Sequence, residues 1–332
     1  MSTKIKPSKG APYARILGVG GYRPVRVVPN EVILETIDSS DEWIRSRSGI
    51  ETRHWANDEE TVAAMSIEAS GKAIADAGIS AEQIGGVIVS TVSHFKQTPA
   101  VATEIADKLG TNKAAAFDIS AGCAGFGYGL TLAKGMVVEG SAEYVLVIGV
   151  ERLSDLTDLE DRATAFLFGD GAGAVVVGPA KEPHIGPTVW GSEGDKSDTI
   201  KQTVPWTEYD STGKFPAITQ EGQAVFRWAV FEMAKVAQQA LDAAGITPDD
   251  LDVFIPHQAN ERIIDSMVKT LKLPEHVTVA RDVRTTGNTS AASIPLAMER
   301  LLATGEAKSG DTALVIGFGA GLVYAATVVT LP

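Results

Sequence analysis

AAAFDISAGCAGFGYGLTLAKGMVVEG, residues 114–140, decides how the rest of the chain is read. Its first part, Ala114–Ser120, is a short apolar run with the length and composition of a buried strand. Its last part, Ala124–Val138, carries apolar residues at helical spacing and ends near Gly140, a helix stop. Between them lies Ala121-Gly122-Cys123-Ala124-Gly125, a small-residue turn holding the only cysteine of the chain. Free cysteine is often a buried structural residue, and this one can be read so. The strand–turn–helix setting favours a nucleophile, because such a turn exposes its side chain and places it at unpaired N–H groups of a helix start. On that reading the positive end of the helix dipole should favour thiolate over thiol.

Working outward, the segment is one half of a repeat. Ala73-Ile74-Ala75-Asp76-Ala77-Gly78-Ile79, followed by Val87-Ile88-Val89, is echoed by Ala240-Leu241-Asp242-Ala243-Ala244-Gly245-Ile246 followed by Val253-Phe254-Ile255. The shift between Gly78 and Gly245 is 167 positions. The same shift carries Cys123 into Thr285-Thr286-Gly287-Asn288-Thr289-Ser290, another small-residue turn leading into a helix. It also matches Tyr144–Val150 to Ala313–Gly317. Several elements in one register point to a duplicated β/α unit. The fold class read from this is α/β, in two halves: residues 1–180 with the cysteine, and residues 181–332. Parallel β/α sheets bind ligands at the carboxyl ends of their strands, so the two equivalent turns should meet at one site. Gly18-Val19-Gly20-Gly21 is a poor match to a dinucleotide loop, since Pro24 and β-branched residues follow where a helix would be needed.

Composition narrows the function classes. Twenty-nine basic residues against 42 acidic give a net charge of −13, which argues against nucleic acid and against an anionic membrane as partners. One cysteine excludes an intrachain disulfide and any cysteine-clustered metal site, and no metal is expected. The basic, polar start lacks the apolar core of a signal peptide. No segment approaches the ~20 apolar residues of a membrane helix. The sequence therefore reads as that of a cytoplasmic protein.

Two segments follow strand ends in the second half. Pro256-His257-Gln258-Ala259-Asn260 places a histidine between a strand and a helix, and Gly287-Asn288-Thr289-Ser290-Ala291 carries the asparagine of the repeated turn. Each residue alone is ordinary structural chemistry. Aimed together at one sulfur, they supply a nucleophile and two neutral donors able to stabilise charge on a thioester oxygen. The closing run Gly317-Phe318-Gly319-Ala320-Gly321 offers further backbone N–H groups. Earlier in the chain, Trp43 and Arg47 share a helical face, as a packing pair or as a platform for a flat ring.

These three segments, with Asp41-Glu42-Trp43-Ile44 and Phe168-Gly169-Asp170-Gly171-Ala172-Gly173, resemble β-ketoacyl-acyl-carrier-protein synthase III, most closely its actinomycete members. The resemblance spans essentially the whole chain. It implies the thiolase fold, five layers α-β-α-β-α, in a homodimer. It implies an acyltransferase that condenses an acyl-coenzyme A starter, acetyl or short and branched, with malonyl-acyl-carrier protein. The products are 3-oxoacyl-carrier protein, coenzyme A and carbon dioxide, and no cofactor is required. Carried over by residue, Cys123 takes the acyl group, while His257 and Asn288 hold the malonyl thioester and stabilise its enolate. The N–H groups of Cys123 and Ala320 form the oxyanion hole. Trp43 and Arg162 match the pair that sandwiches adenine, and Arg47, Phe226 and Asn260 match other coenzyme contacts. Phe318 belongs to the acyl pocket, as does Thr98, which stands where several relatives place a phenylalanine reaching into the partner subunit. Ala320 departs from the usual middle glycine but keeps its N–H. Arg227, Arg262, Lys269 and Lys272, the last three read as one face after His257, are candidates for docking the acidic carrier protein. A polyketide-type condensing enzyme using only coenzyme A thioesters would share most of these features. A non-catalytic thioester-binding protein would need the sulfur but not both donors.

Overall fold

The computed structural model describes residues 5–111, 113–211 and 213–332. Ten strands form two five-stranded sheets: β1 (Tyr13–Tyr22), β2 (Ile84–Ser90), β3 (Ala115–Ile119), β4 (Tyr144–Arg152), β5 (Asp170–Ala180), β6 (Val189–Ser192), β7 (Val253–Pro256), β8 (Thr278–Val279), β9 (Thr312–Gly319) and β10 (Val323–Thr330). The first sheet runs β1-β5-β4-β2-β3 and the second β6-β10-β9-β7-β8. The two orders are the same once five is added to each strand number, which is the duplication expected from the 167-residue shift. In both sheets the three strands at one end are parallel and the other two antiparallel.

The helices repeat in the same way. After α1 (Asp41–Ser48) come α2 (Val62–Asp76), α3 (Val101–Leu109) and α4 (Gly125–Glu139), then their counterparts α5 (Gly222–Ala244), α6 (Glu261–Leu271) and α7 (Ser293–Thr304). Helix α4 buries Phe126, Leu130, Ala133 and Val137, one face at spacings of three and four residues, and α7 buries Ile294, Ala297, Met298 and Leu301. These side chains join one core with Val147 and Val175 of the first sheet and Val315 and Val329 of the second. Helices α4 and α7 thus form the middle layer between the sheets. Helices α2 and α3 cover the outer face of the first sheet, and α5 and α6 that of the second. The result is the α-β-α-β-α stack. Burial of the inner strands on both faces explains apolar runs such as Val87-Ile88-Val89, Val145-Leu146-Val147-Ile148 and Val175-Val176-Val177. In contrast β3, read from its composition as a buried strand, is an edge strand and only partly buried.

Local chemistry fixes the loops above the carboxyl strand ends. Helix α3 begins at Ala100 with no cap of its own. Asp118 of β3 supplies it: its carboxylate accepts from the Val101 and Ala102 N–H groups at 2.8 and 2.9 Å. A carboxylate on a helix N-terminus satisfies two otherwise unpaired donors and meets the favourable end of the dipole. Because β3 leads straight into the cysteine turn, this bond also sets where that turn starts. Asp118→Ala should lower the free energy of unfolding by about 2 kcal/mol, with Asp118→Asn losing less, as measured by urea denaturation.

Candidate active site

Cys123 sits in a single 3₁₀ turn, Gly122–Ala124, that precedes α4. Ser290, at the position equivalent to Cys123 in the second half, opens the matching turn Ser290–Ala292 before α7. The repeat thus brings the two turns together, and Ser290 and Cys123 lie side by side on one cavity wall. His257 follows β7 directly. Its N–H donates to the Ile316 carbonyl of β9 at 2.7 Å, which ties the residue to the neighbouring strand. Asn288 is held by its backbone, donating to Leu167 O at 2.8 Å and accepting from Gly169 N at 3.0 Å. Cys123, His257 and Asn288 all line one cavity of about 220 Å³, with Gly319, Ala320 and Phe318.

The donors that remain define what the cavity can do. Asn288 Oδ1 accepts from the Ser290 N–H at 2.8 Å, leaving the amide Nδ2 without a protein partner among the described residues. His257 Nδ1 lies 2.7 Å from Ser293 Oγ, and the ring packs edge-on against Phe318 at 5.3 Å. With only 2% of its surface exposed, the imidazole is desolvated and its pKa falls to about 3. It is neutral at physiological pH.

The sulfur departs from the thiolate expected at a helix start. Desolvation pushes the Cys123 pKa up to about 11, and the nearby Glu151 carboxylate adds to the rise. The Ser290 hydroxyl and the N–H groups of Cys123 and Ala320 pull the other way and do not overcome it. Removal of water from a half-buried sulfur outweighs two backbone donors and a neighbouring hydroxyl. In the resting protein Cys123 is a thiol.

A second cavity of about 640 Å³ reaches the surface past Trp43, Arg47, Phe226, Arg227 and Asn260. It shares Gln220, Val225, Ala259, Ile263 and Asn288 with the first cavity, so the two form one passage from solvent to the sulfur. At its mouth the Arg162 guanidinium lies 4.9 Å from the Trp43 ring and that of Arg47 at 5.9 Å, with Phe166 edge-on at 5.4 Å. Asn260 caps α6 by accepting from Arg262 N–H at 2.9 Å and donates to Arg47 O at 2.9 Å.

The remaining expected residues scatter. Thr98 is exposed and lies outside the cavity of its own chain. Arg262 and Lys269 are both exposed on α6, and the Arg262 guanidinium rests on the Phe226 ring at 4.9 Å. Lys272 does not continue their face: α6 stops at Leu271, and Lys272 is its C-cap in the left-handed region, φ 52°. The residue turns off the helix because its N–H closes the last turn on Lys269 and Val268. Sequence reasoning missed the apolar lining from Leu153, Leu156, Ile200, Ile218 and Trp228, which comes from separate segments with no shared pattern. It also missed Ser293 and Glu151.

The buried histidine gives a pH signature. Its folded pKa lies below its unfolded value of 6.5, so between pH 6.5 and about 3 the unfolded chain binds more protons. Stability from this group is full above pH 6.5 and is lost as pH falls, by at most about 1.4 kcal/mol per unit. The difference in unfolding free energy between wild type and His257→Gln should therefore shift against the wild type from pH 7 to about pH 4.5, as read by urea titrations at each pH.

Comparison with known proteins bears on the whole of this arrangement. Residues 117–194 match the family model of 3-oxoacyl-[acyl-carrier-protein (ACP)] synthase III, and residues 241–331 match the model of its C-terminal part. The β-ketoacyl-[acyl-carrier-protein] synthase III of Streptomyces glaucescens is 91% identical over 332 residues, covering 99% of this chain and 100% of that one. Among solved structures, the priming β-ketosynthase from the R1128 polyketide biosynthetic pathway superposes with a TM-score of 0.96 at 45% identity, covering 100% of this chain and 99% of that one. The 3-oxoacyl-[acyl-carrier-protein] synthase III from Aquifex aeolicus VF5 gives 0.87 at 37%, covering 96% and 99%. With the duplicated sheets, the paired turns and the cysteine-lined passage, these likenesses mean that the chain belongs to the β-ketoacyl-acyl-carrier-protein synthase III family.

Proposed function

We propose that the chain performs its family's decarboxylative Claisen condensation with Cys123 as the acyl carrier. An acyl-coenzyme A starter and malonyl-acyl-carrier protein give 3-oxoacyl-carrier protein, coenzyme A and carbon dioxide, the first condensation of fatty acid synthesis. The observation that carries the assignment of roles is that the sulfur, a neutral imidazole and an unpartnered amide N–H line one cavity joined to solvent by a single passage. The Cys123 sulfur attacks the starter carbonyl. The N–H groups of Cys123 and Ala320, which already point at the sulfur, receive the oxyanion of the tetrahedral intermediate. Ser293 Oγ accepts from Gln258 N–H at 3.3 Å and gives its hydrogen to His257 Nδ1, which leaves the proton on Nε2 facing the cavity. His257 Nε2–H and Asn288 Nδ2–H then hold the malonyl thioester oxygen. The negative charge left as carbon dioxide departs builds on that oxygen, and neutral donors in a dry cavity stabilise it without first meeting a counter-charge.

The outer cavity suits coenzyme A. Arg162 lies directly on Trp43, so a purine entering between them displaces the guanidinium and keeps the cation–π geometry on its own other face. Arg47, Phe226 and Asn260 line the passage beyond or brace it. Phe318 packs His257 and, with Leu153, Leu156 and Ile218, bounds the acyl end, which has room beyond an acetyl methyl. Thr98 belongs to the same pocket only across a homodimer, where its exposed loop would meet the partner's acyl end. The repeats 1–180 and 181–332 act as the two halves of the catalytic unit. The reaction needs no cofactor beyond the two thioesters. The setting we assign is the cytoplasm; among the described residues no helix is long and apolar enough to cross a membrane.

Intact-protein mass spectrometry after mixing with acetyl- and isobutyryl-coenzyme A should show both adducts on the wild type and neither on Cys123→Ser, whose alkoxide is far less accessible than a thiolate. His257→Ala and Asn288→Ala should still acylate and yet lose decarboxylation of malonyl-carrier protein by roughly 100-fold. Equal loss of both steps in the two variants would contradict the division of labour.

For the carrier protein, a net charge of −13 repels an acidic partner unless basic groups gather locally. Arg227 lines the mouth of the passage, and Arg262 and Lys269 extend along exposed α6 beside it. Such contacts act mainly on encounter and are screened over about 10 Å at 0.1 M salt. Arg262→Glu with Lys269→Glu should raise the Michaelis constant for malonyl-carrier protein several-fold at low salt and much less at high salt. Acylation by a small coenzyme A thioester should change little.

A further inference from the structure

Glu151 is the penultimate residue of β4, 0% exposed, and follows a run, Val145-Leu146-Val147-Ile148-Gly149-Val150, made only of Val, Leu, Ile and Gly. A carboxylate in such a place persists only when its oxygens are hydrogen-bonded. Oε2 accepts from Ser93 Oγ at 2.6 Å, from the Val92 N–H at 3.1 Å and from Thr91 Oγ1 at 3.3 Å. Oε1 accepts from Ser290 Oγ at 3.1 Å. Three of these partners come from the segment after β2. The fourth is the residue that matches Cys123 in the repeat and lies beside it on the cavity wall. The side chains therefore form a line, Sγ–H to Ser290 Oγ–H to Glu151 Oε1, running from the cavity floor into the core.

The condensation described above leaves one proton without a destination. Cys123 rests as a thiol and must shed its proton to attack, and His257, whose neutral ring is the donor to substrate oxygen, is not its base. We propose that Glu151, acting through Ser290, takes the Cys123 thiol proton during acylation and returns it to the sulfur after condensation. The proposal rests on Cys123 being the nucleophile. In the first half the bond from Sγ to the acyl carbon forms and the bond from that carbon to the coenzyme A sulfur breaks. The thiol proton passes to Ser290 Oγ as the Ser290 proton passes to Oε1, and coenzyme A leaves as a thiolate that takes a proton from water. In the second half the malonyl carbon bond to the departing carbon dioxide breaks and its electron pair forms the new bond to the acyl carbon. The bond from that carbon to Sγ then breaks, its pair goes to sulfur, and the stored proton returns. One proton is drawn from water per turnover, as decarboxylation of a malonyl carboxylate requires.

Electrostatics fit a group that must both accept and release. Burial raises the Glu151 carboxyl to about 7, with the four hydrogen bonds opposing the rise. The surroundings isolate it. The segment after β2 faces it with hydroxyls and an N–H, β5 with Gly171, and the turn before α7 with Ser290. Arg152, next in sequence, turns its guanidinium away to Asp155 and the Asn57 carbonyl. Asp170, opposite Arg152 on β5, is committed to Ala56 and Ser154. His257, lining the same cavity, stays neutral over this range. Cys123, from the turn before α4, is the titratable group that faces it.

The test is the single-turnover rate of Cys123 acylation by acetyl-coenzyme A, followed by rapid quench and mass spectrometry from about pH 5.5 to about pH 9.5. The wild-type rate should rise through an inflection near pH 7, since only the ionised carboxylate accepts the proton. Glu151→Gln keeps the shape but cannot accept; it should acylate at least about tenfold more slowly at neutral pH. Its rate should climb only where the thiol itself ionises. Ser290→Ala, which leaves the carboxylate in place and breaks the line, should lose the same inflection, and it carries the test alone if Glu151→Gln does not fold. A wild-type rate with an unchanged inflection in either folded variant overturns the proposal. So does a slower rate with the inflection in place, which would make Glu151 a brace for the loop after β2. Peptide mapping of the wild-type adduct separates the two readings: label on a residue other than Cys123 overturns the nucleophile assignment itself, whatever the variants do.

Discussion

A side chain at Gly319 has nowhere to go: its Cβ would stand 2.8 Å from both the Cβ and the sulfur of Cys123, and 3.0 Å from its nitrogen. Strand β9 thus runs over the Cys123 side chain so closely that only a glycine fits. That approach brings the Ala320 N–H to the sulfur and Phe318 against His257. The cysteine turn meets it from below, with Gly122 in the left-handed region at φ 47° and facing Ala320. The two backbones close on the sulfur from opposite sheets, so the site exists only where the duplicated halves are docked. An Ala at 320 is compatible with this because the residue opposite, Gly122, has no side chain to meet its methyl, and its N–H is what the site uses.

The same closeness sets the electrostatics. With water squeezed out, each titratable group moves toward its neutral form: the Cys123 thiol to about 11, the His257 imidazole to about 3, the Glu151 carboxyl to about 7. A cavity whose groups are near neutral at rest is one in which charge created by the reaction is the charge the donors respond to. Fixed dipoles of N–H groups at Cys123, Ala320, His257 and Asn288 do this without reorganising. The arginines stay at the mouth of the passage, where a nucleotide phosphate or an acidic surface would meet them.

Much of this was legible in the chain. The 167-residue shift between Gly78 and Gly245 carries the sheet order, the helix order and the meeting of the Cys123 and Ser290 turns, because a repeat conserves register even where side chains diverge. His257 could be placed because it directly follows a strand end and Cys123 because it lies in the turn after one, while Asn288 was found because the repeat shift carries the cysteine turn into its segment. What was not legible depends on tertiary burial. Nothing local marks the Cys123 thiol as protonated; the helix start argues the reverse, and only the depth of the cavity decides it. Glu151 sits at the end of an apolar strand, where sequence alone reads a polar residue as the beginning of a loop. The spacing of Arg262, Lys269 and Lys272 fits one helical face only if the helix continues, and Leu271 ends it. The acyl lining draws single residues from distant segments, so it has no period to detect.

The repeat also accounts for why a serine sits beside the cysteine. In a duplicated unit the two turns are equivalent by ancestry of position, and the packing that brings them together cannot favour one over the other. Asymmetry has to come from chemistry at equivalent places. The first half places a thiol at the turn, and the second a hydroxyl at the same point and an asparagine two residues before it. The thiol can form and release a thioester; the hydroxyl, much harder to ionise, cannot compete for the acyl group even from beside it. It is left free to donate to Glu151 of β4, the strand packed against its own turn. One geometry, copied once, yields a thiol facing the cavity on one side and a polar bridge into the core on the other.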